Sequence, residues 1–222
     1  MTLSVAALWR YPIEILAGEQ LETAELTFVG IPGDRVVHVR GPEGVRTSRR
    51  FHRLLGLHAT LGPGGEPMVN EMPWTDPRVL DLVREAAGRD AWLEAFAGPE
   101  RFDVLPLLVA TDGAVRAFGR DVRRLRPNIL IGGVNSLDEV TWPGATLEIG
   151  HAVVRLDSLR QRCPMTTVDP DTLERDREVL RDIIRRFDGR IALNADIARP
   201  GTIHVGDDVR LVIPTGDTRD RP

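Results

Sequence analysis

A chain of 222 residues, 42% of them hydrophobic, is long enough to bury one sizeable core or two small ones. Its net charge of -4 and pI near 5.8 give no bulk attraction to nucleic acid or to an anionic membrane, so an anion site has to be a local cluster. One cysteine excludes an internal disulfide and an iron–sulfur cluster held by this chain's own thiolates, and the 29 positive charges are all arginine, which removes a pyridoxal Schiff base and a phosphate-loop lysine.

Ser4 to Tyr11 is apolar up to Pro12 and predicts an opening strand, and Leu21 to Val29 predicts a second. Gly30 to Asp34 reads as a turn. Arg35 follows it at the entrance to the short run Val36 to Val39, either as a solvated strand-end arginine, which spacing alone favours, or as a guanidinium aimed into a cleft. Gly41 to Gly44 is a further turn, and Val45 to Phe51 carries Arg46, Arg49 and Arg50 toward apolar pieces around Leu54 to Leu61. Asp76 is placed to cap a helix with Pro77 in its first turn, with Val79, Leu82, Val83 and Ala86 on one face and Gly88 as the stop. A short second helix is expected over Asp90 to Phe96, with Trp92 and Phe96 as packing residues. Val104 to Ala110 reads as a buried strand ending in a turn at Thr111-Asp112-Gly113.

Asp121 to Ile131 holds Arg123, Arg124, Arg126 and Asn128 ahead of an apolar run. Guanidinium groups at a strand entrance grip phosphate or a polar heterocycle, although charge pattern alone favours a solvated basic loop. Thr146 to Leu159 alternates as strands around a turn at Glu148 to His151. Beyond the cysteine, Asp171 and Glu174 form a capping-box pattern for a helix whose face is Leu180, Ile183, Ile184 and Phe187, closed by Arg185, Arg186 and Gly189. Pro200 to Ile213 reads as two strands around a turn. Many short strands with two or three helices predict a mostly β (α+β) body, barrel-like, with peripheral helices. The five histidines show no metal-binding spacing. The start carries no basic segment followed by an apolar run, and no stretch of about 18 apolar residues follows, so a cytoplasmic chain without membrane or nucleic-acid partners is expected.

The stretch Arg160-Gln161-Arg162-Cys163-Pro164-Met165-Thr166-Thr167-Val168-Asp169-Pro170-Asp171-Thr172 sets the one cysteine between arginines and a run of hydroxyl and carboxyl groups. Thiolate is the useful ligand or nucleophile, and neighbouring guanidinium groups favour ionised sulfur in general. Taken alone, an unpaired cysteine reads first as a small buried hydrophobe.

From Arg162 to Thr172 the chain resembles the signature of MOSC domains, the family named for the C-terminal part of molybdenum cofactor sulfurases and including the mitochondrial amidoxime-reducing components. Leu8-Trp9-Arg10-Tyr11-Pro12, Gly33-Asp34-Arg35, Leu125-Arg126-Pro127-Asn128-Ile129 and Pro200 to Asp207, similar to the family's closing hairpin, match in the same order. The resemblance implies a single MOSC-type β-barrel unit over 1–222, with an N-terminal β region to about residue 60 and the core with the cysteine motif from about 100 to 214. It implies a molybdopterin-bound molybdenum ligated by Cys163. Arg35 would reach the cofactor phosphate, Arg126 and Asn128 the pterin or phosphate, and Arg160 and Arg162 the cofactor near the metal, with Arg124 as a helper. The implied activity is reduction of N-hydroxylated small molecules, such as amidoximes, fed by a separate electron-donor reductase. Thr166 and Asp169 are candidate proton relays by their nearness in sequence. The alternative is a carrier or sulfur-transfer module that binds the cofactor without turnover; a metal-free cysteine hydrolase is poorer, since no histidine is tied to Cys163. Two departures stand out. Glu14-Ile15 replaces a lysine and a serine expected at the phosphate, and Leu173 stands where a glycine often follows the motif.

Overall fold

The computed structural model describes residues 2–96, 98 and 101–214. In chain order its elements are β1 (Leu3–Arg10), β2 (Glu19–Leu21), β3 (Thr23–Leu26), β4 (Val37–Gly41), β5 (Gly44–Val45), β6 (Ala59–Leu61), β7 (Pro67–Val69), β8 (Met72–Pro73), α1 (Pro77–Ala87) and β9 (Trp92–Ala95). They continue with β10 (Leu107–Thr111), α2 (Asp112–Phe118), β11 (Ile129–Gly132), β12 (Thr146–Ile149), β13 (Ala152–Gln161), α3 (Arg177–Phe187), β14 (Arg190–Arg199), β15 (Gly201–His204) and β16 (Asp208–Val212).

Seven strands close into a barrel in the order β11, β10, β14, β13, β12, β16, β1, with β1 returning to β11 and β2 appended to β1. Every pairing around the ring is antiparallel except β10 with β11, so the helical crossover α2 lies between those two. Inward side chains follow the strand period: Ala152, Val154 and Leu156 of β13 are buried while Arg155 and Asp157 face water, and Leu147 and Ile149 of β12 repeat the pattern. Each fully buried leucine or isoleucine of this core contributes about 1.5–3 kcal/mol relative to exposure. A second apolar cluster joins Ile13, Ile15 and Leu16 to Val37, Val39, Leu54, Val79 and Val83 beneath α1, and a third packs Phe118 of α2 and Leu125 against Val179 and Ile183 of α3. Glu139 locks α2 to the barrel. It is 1% exposed and accepts the N–H and hydroxyl of Thr111 at 3.2 and 2.7 Å and the Ala192 N–H at 2.9 Å, while the Thr111 hydroxyl oxygen caps Ala114 N–H. Burial holds the Glu139 carboxyl above its ordinary range despite those donors.

The helix after Asp76 forms as its sequence predicts, with Asp76 accepting the Arg78 N–H and Gly88 at the stop. Other local expectations yield to tertiary structure. Trp92–Ala95 is a strand, not a helix, because it pairs antiparallel with Val37–Arg40, and four residues gain more from an open sheet edge than from one helical turn. Thr111-Asp112-Gly113 begins helix α2 and is not a turn; seven residues are too few to show a helical period. Asp171 does not cap α3. Asp176 does, accepting the Glu178 N–H, because Asp169 to Arg175 is folded into a turn closed by a Val168–Arg175 bridge. Ile184 is exposed and Val179 takes its place on the buried face. The two closing strands pair elsewhere: β15 with β3, and β16 with β12 and β1, so they form no hairpin with each other.

Candidate functional site

β13 delivers Arg162 and Cys163 to one end of the barrel, where the Arg162 N–H bonds to Gly189 O at 2.9 Å and ties the motif to the start of β14. Cys163 opens a tight turn, Pro164–Thr167. Its carbonyl accepts the Thr166 N–H at 3.1 Å and the Thr166 hydroxyl at 2.9 Å, and the Thr167 hydroxyl donates to Pro164 O at 2.6 Å. The hydroxyl run therefore holds the turn that presents a half-buried sulfur.

Cys163 faces an open cleft. Five arginines line it, Arg35, Arg49, Arg126, Arg160 and Arg162, against two carboxylates, Glu14 and Asp103; Asn128, Gln161 and Asn194 complete its polar wall. The loop Leu125 to Asn128 brings Arg126, the turn ahead of β4 brings Arg35, and the chain after β1 brings Glu14. Burial lowers Arg162 to about 10, which leaves it a cation at neutral pH, and pulls Arg126 below its ordinary value. Arg162 spends one nitrogen on Leu125 O at 2.8 Å and leaves Nε buried without a partner; Arg126 spends Nη1 on Leu16 O at 2.6 Å and leaves Nη2 likewise. Buried donors without acceptors cost free energy, and an anion in the cleft would satisfy them.

Beneath the cleft sits Asp34, fully buried. Its Oδ1 accepts the Tyr11 N–H at 2.7 Å, its Oδ2 accepts from the Asn128 amide at 3.3 Å, and it forms an ion pair with Arg35. Burial alone would lower Arg35, but Asp34 and Glu14 outweigh it and hold the guanidinium above its usual value. Asn128 is spent on structure as well, accepting the Leu108 N–H and donating to Trp9 O and Asp34. Tyr11 lies between Arg126 and Arg35, whose guanidinium carbons are 4.1 and 5.2 Å from the ring centre, and donates its hydroxyl to Pro127 O at 3.0 Å.

Of the residues the sequence singles out, Cys163, Arg35, Arg126, Asn128, Arg160 and Arg162 share this cleft, while Arg124, Thr166 and Asp169 do not line it. Arg124 donates to Thr166 O at 3.3 Å and to Asp169 Oδ2 at 2.7 Å, bracing the cysteine turn. Asp169 also accepts the N–H groups of Asp171 and Thr172, which hold its carboxyl below the usual range. Asp171 pairs with Arg123 through two hydrogen bonds at 2.9 and 2.8 Å. Glu14 does line the cleft, 3.3 Å from Arg35 Nε, whereas Ile15 turns into the second apolar cluster with φ 79, a left-handed conformation that costs a β-branched side chain roughly 1–2 kcal/mol. Leu173 is also left-handed, φ 60, which accounts for the glycine common at that place. Arg49, Asp103 and Asn194 come from distant stretches with no local signal. Asp34 carried one, as a polar residue ending a turn beside Arg35.

Fold and site together define a β-barrel protein with one half-buried cysteine in an arginine-lined cleft. Residues 112–210 match the family model described as MOSC domain. It is 25% identical to mitochondrial amidoxime reducing component 2 of Macaca fascicularis over 83% of this chain and 72% of that one, and 24% identical to mitochondrial amidoxime-reducing component 1 of Mus musculus over 94% and 82%. The crystal structure of the YUAD protein from Bacillus subtilis shares the fold, with a TM-score of 0.51 at 12% identity, covering 96% of this chain and 98% of that one. Among the described residues no helix is long and apolar enough to cross a membrane.

Proposed function

We propose that the cleft holds a molybdenum cofactor with Cys163 as its protein ligand, and that the loaded protein reduces N-hydroxylated compounds. The observation that carries this reading is the chain's one cysteine half-buried in a cleft where five arginines converge and Arg162 Nε lacks an acceptor. An anionic pterin phosphate suits that donor set, and soft sulfur suits a metal already held by a dithiolene. Arg160 and Arg162 would hold the cofactor beside the sulfur, with Arg126 and Asn128 along the pterin and Arg35 toward the phosphate. Arg124 and the Thr166 and Asp169 turn fix the direction of Cys163. The bound group supplies two-electron oxygen-atom chemistry. The overall conversion is R–NHOH + 2 H⁺ + 2 e⁻ → R–NH₂ + H₂O, with the electrons from a separate reductase.

The Glu14–Arg35 pair favours a second reading, in which the cofactor is gripped loosely and handed on. Chemical reduction of the cofactor-loaded chain in the presence of benzamidoxime separates the two: repeated turnover to benzamidine supports the enzyme, and none under any reductant supports the carrier.

The role of Glu14 has its own measurement. Burial raises its carboxyl, opposed by Arg35 and Arg126 and aided by Asp103 and Asp34. It therefore takes up a proton on acidification earlier than an ordinary carboxylate and removes a negative charge from the cleft. Sulfate, a dianion throughout, should bind the cofactor-free protein more tightly as pH falls through that raised range. Glu14→Gln should bind it on the order of tenfold more tightly at neutral pH and lose most of the dependence. Identical calorimetric titrations of the two proteins would remove Glu14 from the cleft's electrostatics.

A further inference from the structure

A second cavity, of about 250 Å³, lies beside the cysteine cleft. Arg126 and Met165 line both, while Cys163 lines only the first. Its chemistry is different. Trp9, Leu55, Met165 and Val168 give it broad apolar walls, and Gly18 contributes no side chain; a Cβ there would meet Tyr11 Cδ1 at 2.4 Å. Arg123 and Arg124 also line it, but they are matched by Asp121, Asp171 and Asp169. Arg126 is not matched in this way. It is 6% exposed, its Nη1 is taken by Leu16 O, and its Nη2 has no acceptor. A cavity walled by Trp9, Tyr11 and aliphatic side chains calls for a ligand with a flat apolar body.

We propose that this cavity binds the organic body of the substrate, a neutral aromatic molecule held against Trp9, Leu55 and Val168, while its N-hydroxyl end passes Met165 toward Cys163. This rests on the function proposed above. Met165 suits a gate: it is half-buried, unbranched and shared by both cavities. The Arg126 guanidinium, which Glu14 and Asp34 offset without an ion pair among the described residues, also sets a sign. An aryl amidoxime is neutral at neutral pH and its amidine product is a cation, so Arg126 favours the substrate and expels the product.

The test needs no cofactor. Benzamidoxime, acetamidoxime and benzamidine are titrated calorimetrically into the cofactor-free full chain. Benzamidoxime should bind saturably, and at least about tenfold more tightly than either of the others. Leu55→Trp, which fills the cavity, should weaken it by about tenfold, and Trp9→Ala by about three- to tenfold, with Trp9→Phe restoring most of the affinity. Arg120→Ala, exposed and lining neither cavity, should leave binding unchanged, and Arg49→Ala reports on the cysteine cleft alone. Circular dichroism checks that each variant is folded, and the Trp9 pair decides the matter if Leu55→Trp does not fold. Absence of saturable binding, or binding indifferent to Leu55 and Trp9 but lost in Arg49→Ala, overturns the assignment. Because molybdenum plays no part in these titrations, a failure of the cofactor reading would show separately, in metal content.

Discussion

Cys163→Ser, purified from cells that make the cofactor, should contain at least about tenfold less molybdenum than wild type while keeping a measurable share of the pterin. A serine hydroxyl is a hard and essentially un-ionised donor at neutral pH, so it replaces sulfur in shape but not as a ligand. The arginines that would hold the organic part are untouched. Stability should change little, because the side chain is half-buried and its backbone carbonyl, not its sulfur, holds the turn through Thr166. Metal analysis by mass spectrometry and pterin fluorescence on the same samples measure the two parts of the cofactor independently. Equal molybdenum in the two proteins would remove Cys163 from the metal.

Asp34→Ala should be the most destabilising single change at the site, by about 3–5 kcal/mol in urea unfolding. The carboxylate is fully buried and serves the Tyr11 N–H, the Asn128 amide and the Arg35 guanidinium together. Its removal leaves a buried cation with Glu14 alone, 3.3 Å away, and strands two donors. Against a total stability of about 5–15 kcal/mol, that loss brings the chain close to unfolding. Asp34→Asn keeps an acceptor for the Tyr11 N–H and should cost less. A midpoint for Asp34→Ala within experimental error of wild type would show that water reaches this carboxylate and that Arg35 does not depend on it.

How far the sequence carried the structure depended on the range of the forces. Where a residue's role is set within a few positions, reading along the chain sufficed: Asp76, Pro77 and Gly88 frame α1, and alternation in Thr146 to Leu159 marks β12 and β13. Where a partner is distant, local reading failed. Trp92–Ala95 became a strand only because β4 offers an edge, and the closing strands found β3, β12 and β1 in place of each other. The site divides along the same line. Cysteine, arginines and a matching motif order made Cys163, Arg126 and Arg162 visible, and the cleft brings them together. Nothing local set Arg124 and Asp169 apart as braces of the turn, and nothing announced Glu139, whose partners Thr111 and Ala192 are 28 and 53 residues away.

The position of Tyr11 between two guanidinium groups gives the protein a built-in optical gauge. It is the only tyrosine in the chain, and burial pushes its phenol up to about 12 from 10.0, against the pull of Arg126 and Arg35. The neutral ring thus stabilises the fold fully below the ordinary phenol range, and that contribution fades as pH climbs from there toward about 12. In an alkaline titration the ultraviolet absorbance of tyrosinate arises from this ring alone. Its appearance near the ordinary phenol pKa would signal that the floor of the cleft has come apart, with no label or ligand needed.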